Sequence, residues 1–316
     1  MPDALKIGVV FPQMETGADP DGIRAWARAV DEAGYHHVML YDHVVGADPA
    51  VHQGWKGDYT VKTPFHEPMV LFGFLAGLTS MEMLSGILVA PQRQTVLVAK
   101  QAAEVDILTH GRFRMGVAIG WNHVEYDSLG MDFGTRGRRL DEQVALLRRL
   151  WQEGSVTFEG EFDAVQGVGL APLPIQRPIP IWFGGQTPIA YRRAGRLGDG
   201  WIPEMGVDGS LFEAIGIVEQ AARDAGRDPS TIGMQGRVRW GEGGVDQIVR
   251  DIGRWREAGA THVAINTMMA PSGRWRQDEQ VGLPGIDDHI AALRAVAEDL
   301  RLEPRTADRS KAPAAV

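Results

Sequence analysis

The stretch Ile181–Pro203, IWFGGQTPIAYRRAGRLGDGWIP, decides how the chain folds. An apolar run halts at Gly184 and Gly185, a helical period starts at Ile189 behind Pro188, and a second short apolar run ends at Pro203. Proline is favoured in the first turn of a helix, and a helix between two strands lets the second return parallel to the first. The segment is therefore one strand-helix-strand unit. Paired glycines at the strand end also let backbone N–H groups and the positive end of the helix approach an anion such as a phosphate. A merely tight turn would be spelled the same way, and GGQT matches no Walker or dinucleotide fingerprint. Arg192, Arg193 and Arg196 on the following helix either add charge to such a site or solvate the helix face.

The same rhythm runs outward in both directions. Strand-like runs end at Phe11, Tyr41, Val89, Ile119, Phe183, Pro203, Trp240 and Asn266. Helical periods cover Gly22 to Ala33, Thr95 to Leu108, Arg138 to Trp151, Ile189 to Arg196, Leu211 to Ala225, Val245 to Ala258 and Asp287 to Leu300. Three of them close on EAGY, DAGR or EAGA, where glycine takes the left-handed position after a helix. Eight such strands alternating with helices predict an α/β protein with a closed (β/α)8 TIM barrel, which places any chemistry at the C-terminal ends of the strands. Two connections exceed plain loops: Val44 to Pro68 after the second strand, and Gly154 to Pro178 before the fifth, where SVTFEGEF suggests a small hairpin. One domain is expected over residues 1–302, followed by a polar, disordered tail over 303–316.

Composition narrows the partners. With 316 residues, 44% of them apolar, the chain can bury a large core. A net charge of −9 disfavours nucleic acid or an anionic membrane and leaves a small molecule as the expected partner. There is no cysteine, hence no disulfide and no thiolate nucleophile. No HExxH or similar spacing appears, so no metal site is expected. Neither a leader-like start nor a run of membrane-spanning length is seen, and a cytoplasmic protein is the expectation.

The strand ends supply the candidate site. Asp42-His43 follows the second strand, where an imidazole could exchange protons; alternatively Asp42 caps a turn with His43 packed beside it. SGILVAP, residues 85–91, carries a glycine within a strand and a closing proline, features that tolerate distortion near a ligand. Gly120-Trp121-Asn122 places a flat aromatic and an amide at the same rim; the alternative is that Trp121 simply closes the barrel top. The Val44 to Pro68 excursion, with Trp55, Tyr59, Phe65 and His66, would wall the pocket.

Taken together, YDH, SGILVAPQRQTVLVAKQAAEVDILTHGRFRMGVAIGWNHVEYDSLG, FEGEF and PIPIWFGGQTPIAYRRAGRLGDGWIP resemble the luciferase-like monooxygenase superfamily, and within it the branch that uses the deazaflavin coenzyme F420. The resemblance runs from about Lys6 to Asn266. It implies a phosphate at Gly184, Gly185 and Gln186, and a cofactor ring near Asp42, Ile87, Leu88, Val89, Gly120 and Asn122. It also implies a non-prolyl cis peptide supporting the ring, expected at Ile87-Leu88. His43 and Trp121 take the catalytic positions, with His43 as proton donor or acceptor. The family's sugar-phosphate dehydrogenase has a glutamate where this chain has Trp121, which argues against a sugar phosphate as substrate. Members often form homodimers through helices near the second and third strands, and PMVLFGFLAGLTSM suits either such a face or a buried barrel helix. The implied activity is F420-dependent hydride transfer; an FMN-dependent monooxygenase and a non-catalytic cofactor-binding protein are the alternatives.

Overall fold

Most of the strand-like runs are largely apolar, the pattern of a parallel sheet covered on both faces. The computed structural model describes residues 5–269 and 281–304 and builds from those runs a closed parallel barrel. In chain order the strands are β1 (Lys6–Val10), β2 (His37–Leu40), β3 (Glu82–Ser85), β4 (Phe113–Val117), β5 (Val156–Glu159), β6 (Ala164–Val168), β7 (Ile181–Gly185), β8 (Gly200–Pro203), β9 (Gly233–Arg239) and β10 (His262–Asn266). The ring runs β1-β10-β9-β8-β7-β4-β3-β2, while β5 and β6 form a separate antiparallel hairpin. All eight expected barrel strands are present, and both expected insertions are where the sequence puts them.

The helices are α1 (Gln13–Thr16), α2 (Pro20–Glu32), α3 (Pro68–Ala76), α4 (Thr95–Leu108), α5 (His123–Ser128), α6 (Arg136–Gln152), α7 (Pro188–Leu197), α8 (Gly209–Asp224), α9 (Gly244–Glu257) and α10 (Ile286–Asp299). Gly34, Gly226 and Gly259, behind α2, α8 and α9, have φ of 91°, 71° and 87°, as the sequence stops require. PMVLFGFLA is a barrel helix, started by Pro68 and by Glu67, whose carboxylate accepts from Val70 N at 2.8 Å. Of the expected tail, residues 305–316 lie outside the described residues.

Side chains fill the barrel in layers. At the N-terminal floor, Arg114 pairs with Glu82, lies 4.4 Å from the Trp182 ring centroid and sits beside Gln235, His37 and His262. Burial holds the His37 imidazole well below its usual range, and the Arg114 charge pushes the same way. The middle layer is Val10, Met39, Leu84, Trp182, Ile202 and Ala264, all buried. Trp182 fits because its neighbours are bare: a Cβ on Gly200 would stand 2.3 Å from the indole. These buried side chains fill the interior at its floor and middle. The hairpin lies against α6, where Glu142 accepts from three backbone N–H groups, those of Glu161, Phe162 and Asp163, at 2.6 to 2.9 Å.

Candidate active site

β2 ends at Leu40, and the next three residues turn over the rim. Asp42 is buried there: it accepts from Val89 N at 2.9 Å and from Arg93 at 2.8 Å. Arg93 also reaches Glu67 at 2.8 Å. Burial works against the guanidinium charge, but Asp42 and Glu67 outweigh it and hold the Arg93 pKa above its ordinary value. Asp42 is therefore a strut tying the β2 rim to the chain that follows β3, and it fixes where His43 stands.

His43 projects into an aromatic wall. Its ring centroid lies 4.7 Å from Tyr59, 4.8 Å from Phe65 and 5.8 Å from Trp121. Trp55 packs on Trp121 at 5.7 Å. The excursion after β2 accordingly packs its Trp55, Tyr59 and Phe65 around His43 and Trp121, while its His66 packs 5.7 Å from Phe11 instead. Trp121 keeps 38% of its surface exposed, so it borders an open space and does not seal the barrel as core.

The residue that sequence reasoning missed is Glu125. It is buried on α5, with Oε2 at 3.2 Å from His43 Nδ1 and 3.1 Å from Gln92 Nε2. Its Oε1 accepts from the backbone N–H groups of Val44 and Val45. Burial alone would raise its pKa; the hydrogen bonds from His43, Gln92 and Val44 overcome that and hold it below the usual carboxylate range. An ionised acceptor at Nδ1 assigns that nitrogen the hydrogen, which makes Nε2 the acceptor nitrogen of the neutral ring. Asn122 sets the pair up: its Oδ1 accepts from Glu125 N at 3.2 Å, capping α5.

The remaining predicted residues fall into two touching groups. Around Asp42, a Cβ on Gly120 would meet Val89 Cγ1 at 2.7 Å, and Gly120 has φ +63°. Opposite, a Cβ on Gly184 would meet Ile87 Cγ2 at 2.7 Å. Gly185 has φ +139°, and a Cβ there would stand 2.6 Å from Ala190. Gln186 is exposed beside them at the start of α7, where Thr187 caps Ala190 N at 3.3 Å. Ile87 is partly exposed at this mouth, whereas Leu88 and Val89 are buried.

One expectation is corrected. The non-prolyl cis peptide is Gly86-Ile87, not Ile87-Leu88. Leu88 is held in the ladder to β4, its N–H donating to Gly116 O at 2.8 Å and its carbonyl accepting from Ala118 N at 3.1 Å. The chain departs from the sheet before it, directly after Ser85, and at Gly86 a Cβ would collide with Met39. Among the described residues no cluster of three metal-ligating side chains occurs, and no helix is long and apolar enough to cross a membrane.

The chain is similar to known proteins. A family model described as luciferase-like monooxygenase matches residues 6–262. The chain is similar to the F420-dependent hydroxymycolic acid dehydrogenase of Mycobacterium tuberculosis, at 28% identity over 94% of this chain and 81% of that one. It is also similar to the FMNH(2)-dependent dimethylsulfone monooxygenase of Pseudomonas fluorescens, at 34% identity over 61% of this chain and 50% of that one. Among solved structures, an F420-dependent secondary alcohol dehydrogenase in complex with an F420-acetone adduct matches the fold with a TM-score of 0.73 and 19% identity, covering 92% of this chain and 99% of that one.

Proposed function

The chain belongs to the luciferase-like monooxygenase family, and from that premise we propose that it is an oxidoreductase that takes coenzyme F420 at the barrel mouth and acts on a small organic substrate, with His43 handling the proton. When bound, the deazaflavin supplies a ring carbon, C5, that gives or accepts a hydride. The residues present fit such a group. Gly184 and Gly185 leave backbone bare where any Cβ would crowd, at the N-terminus of α7, which suits a phosphate. Ile87 and Trp121 offer apolar surface beside it for a planar ring.

The observation that carries the reading is the His43–Glu125 pair. A hydride transfer to or from an alcohol, enone or imine must move a proton as well, and a buried carboxylate that orients an imidazole is a device for that. Glu125 fixes the tautomer and steadies the positive charge that His43 gains on taking a proton. The aromatic wall of Tyr59, Phe65 and Trp121 excludes water from the imidazole and favours an apolar or ring-containing substrate. The relative dependent on F420 spans nearly the whole chain and the flavin-dependent one about three-fifths, which supports the deazaflavin.

Fluorescence titrations with oxidised F420 and, separately, with FMN test the cofactor. Micromolar binding of FMN alone overturns the assignment in favour of a flavin monooxygenase. If F420 binds, His43→Ala is expected to keep that affinity while turnover on a panel of alcohols, enones and imines drops by about 10²- to 10⁴-fold. Tight F420 binding without turnover by the wild type would instead mark a cofactor carrier.

A further inference from the structure

Met14, Tyr41 and Ile87 cap the middle layer of the barrel from above, each partly buried against it. Tyr41 gets there by register. Met39 of β2 belongs to that layer, and side chains on a strand alternate in direction, so Tyr41, two residues on, also points inward. Its ring is only partly buried, at the level where the packed interior ends and the mouth begins.

The Tyr41 hydroxyl is met from across the barrel. Arg237 Nη1, on β9, donates to Tyr41 Oη at 3.0 Å, and Asn266 Nδ2, at the end of β10, donates to the same oxygen at 3.5 Å. Arg237 is held in turn by Glu204, next after β8, at 2.5 Å. Burial works against the guanidinium charge, but Glu204 and Tyr41 outweigh it and hold the Arg237 pKa above its ordinary value. Arg237 therefore faces the phenol as a cation. A phenol oxygen accepts through its lone pairs and donates through one hydrogen. Here the accepting side is taken twice, whereas the hydrogen has no acceptor among the described residues: Glu204, the carboxylate of the network, bonds Arg237 and not Tyr41. A tyrosine that only braced the strand ends would close the network by donating to Glu204. This one keeps its donor for something else, and the adjoining cation strengthens that donor by drawing charge from the oxygen.

Tyr41 and His43 stand on either side of Asp42, whose carboxylate is turned away from both, onto Val89 and Arg93. Tyr59 spans the two: its ring packs 4.7 Å from His43, and its hydroxyl lies within electrostatic reach of Tyr41, Arg237 and Glu204.

We propose that Tyr41 binds the substrate's oxygen, its O–H donating to a carbonyl or alcohol oxygen in the mouth, so that the pocket takes ketones, aldehydes or enones and the matching alcohols, and not imines. The proposal rests on the mouth being the active site. A donor backed by a guanidinium suits an oxygen on which negative charge develops, and it disfavours an iminium, whose charge has the same sign as that of Arg237.

The test compares ketones with hydrocarbon isosteres, acetophenone with α-methylstyrene and cyclohexanone with methylenecyclohexane, in binding to the full chain and to Tyr41→Phe. The wild type is expected to prefer at least one ketone by about tenfold, and Tyr41→Phe to lose that preference while binding the hydrocarbon as before. Infrared difference spectra with an isotope-labelled carbonyl add a readout that packing alone does not move. The stretch of the bound ketone is expected at lower frequency in the wild type than in hydrocarbon solvent, and shifted back in Tyr41→Phe. No ketone preference in the wild type, a wild-type stretch equal to that in hydrocarbon solvent, or an unchanged preference in a folded Tyr41→Phe protein overturns the proposal. If neither F420 nor FMN binds the wild type while the Tyr41-dependent preference persists, the proposed function falls and the oxygen site stands. If F420 supports turnover of imines alone, the function stands and the oxygen site falls.

Discussion

At the scale of single residues, the proposed site turns on Glu125, which lies 82 positions from His43 and is joined to it at 3.2 Å. Replacing it by Gln leaves the side chain's shape but removes the anion, and turnover is expected to fall by about tenfold to a hundredfold with cofactor affinity unchanged. Glu125→Asp, which keeps the charge but shortens the reach, should recover only part of that loss. A titration assay that finds Glu125→Gln as active as the wild type would show the pair to be packing alone. The positions of His43, Trp121 and the glycine pair at the rim were legible because they follow strand ends. Glu125 was not, for a local reason. Asn122-x-x-Glu125 reads as a capping box, in which the glutamate turns back onto its own helix start. Here its oxygens go to His43, Gln92, Val44 and Val45, contacts that only the folded chain brings together.

At the scale of elements, the β7–α7 turn joins architecture to the proposed binding of the cofactor. Gly185 combines φ +139° with a neighbour that a Cβ would meet at 2.6 Å, so Gly185→Ala is expected to destabilise the fold by about 1–3 kcal/mol and to weaken the cofactor in the same titration. Thr187→Ala removes only the helix cap, with an expected cost of about 1 kcal/mol in urea unfolding and little change in the turn. A cofactor titration unchanged by Gly185→Ala would place the anion elsewhere. The barrel strands were readable because most are short, largely apolar runs bounded by turn residues. α5 was not, being six residues long, too short to show a helical period. α3 is apolar on every side, and a uniformly apolar segment does not reveal which face it buries.

For the whole molecule, acid is the informative perturbation. Burial pushes the pKa of His262 down to about 2 and that of His289 down to about 4. His289 is enclosed between Thr267, at 2.8 Å, and Glu15, at 3.9 Å. In the unfolded chain both would take a proton near pH 6.5, while the fold refuses it, so stability falls as pH drops below that value. Each contributes up to about 1.4 kcal/mol per pH unit, from pH 6.5 down to about 4 for His289 and further for His262. Urea midpoints measured from pH 7 to pH 4.5 should decline, and His289→Gln, which has no proton to refuse, should flatten part of the slope. A homodimer is proposed through α3, where Val70 is 72% exposed beside a half-buried Phe74. Light scattering should give twice the chain mass, and Val70→Glu should return it towards the monomer.

The barrel's solid filling has a kinetic consequence. With the floor filled by Arg114, His37 and Gln235, and the middle by Trp182 and its neighbours, molecules bound as proposed would share the C-terminal mouth. Two molecules that must meet there will queue: the one seated deepest against the rim enters first and departs last. Initial-rate patterns should then show compulsory order, with a dead-end mimic of the second arrival slowing release of the first.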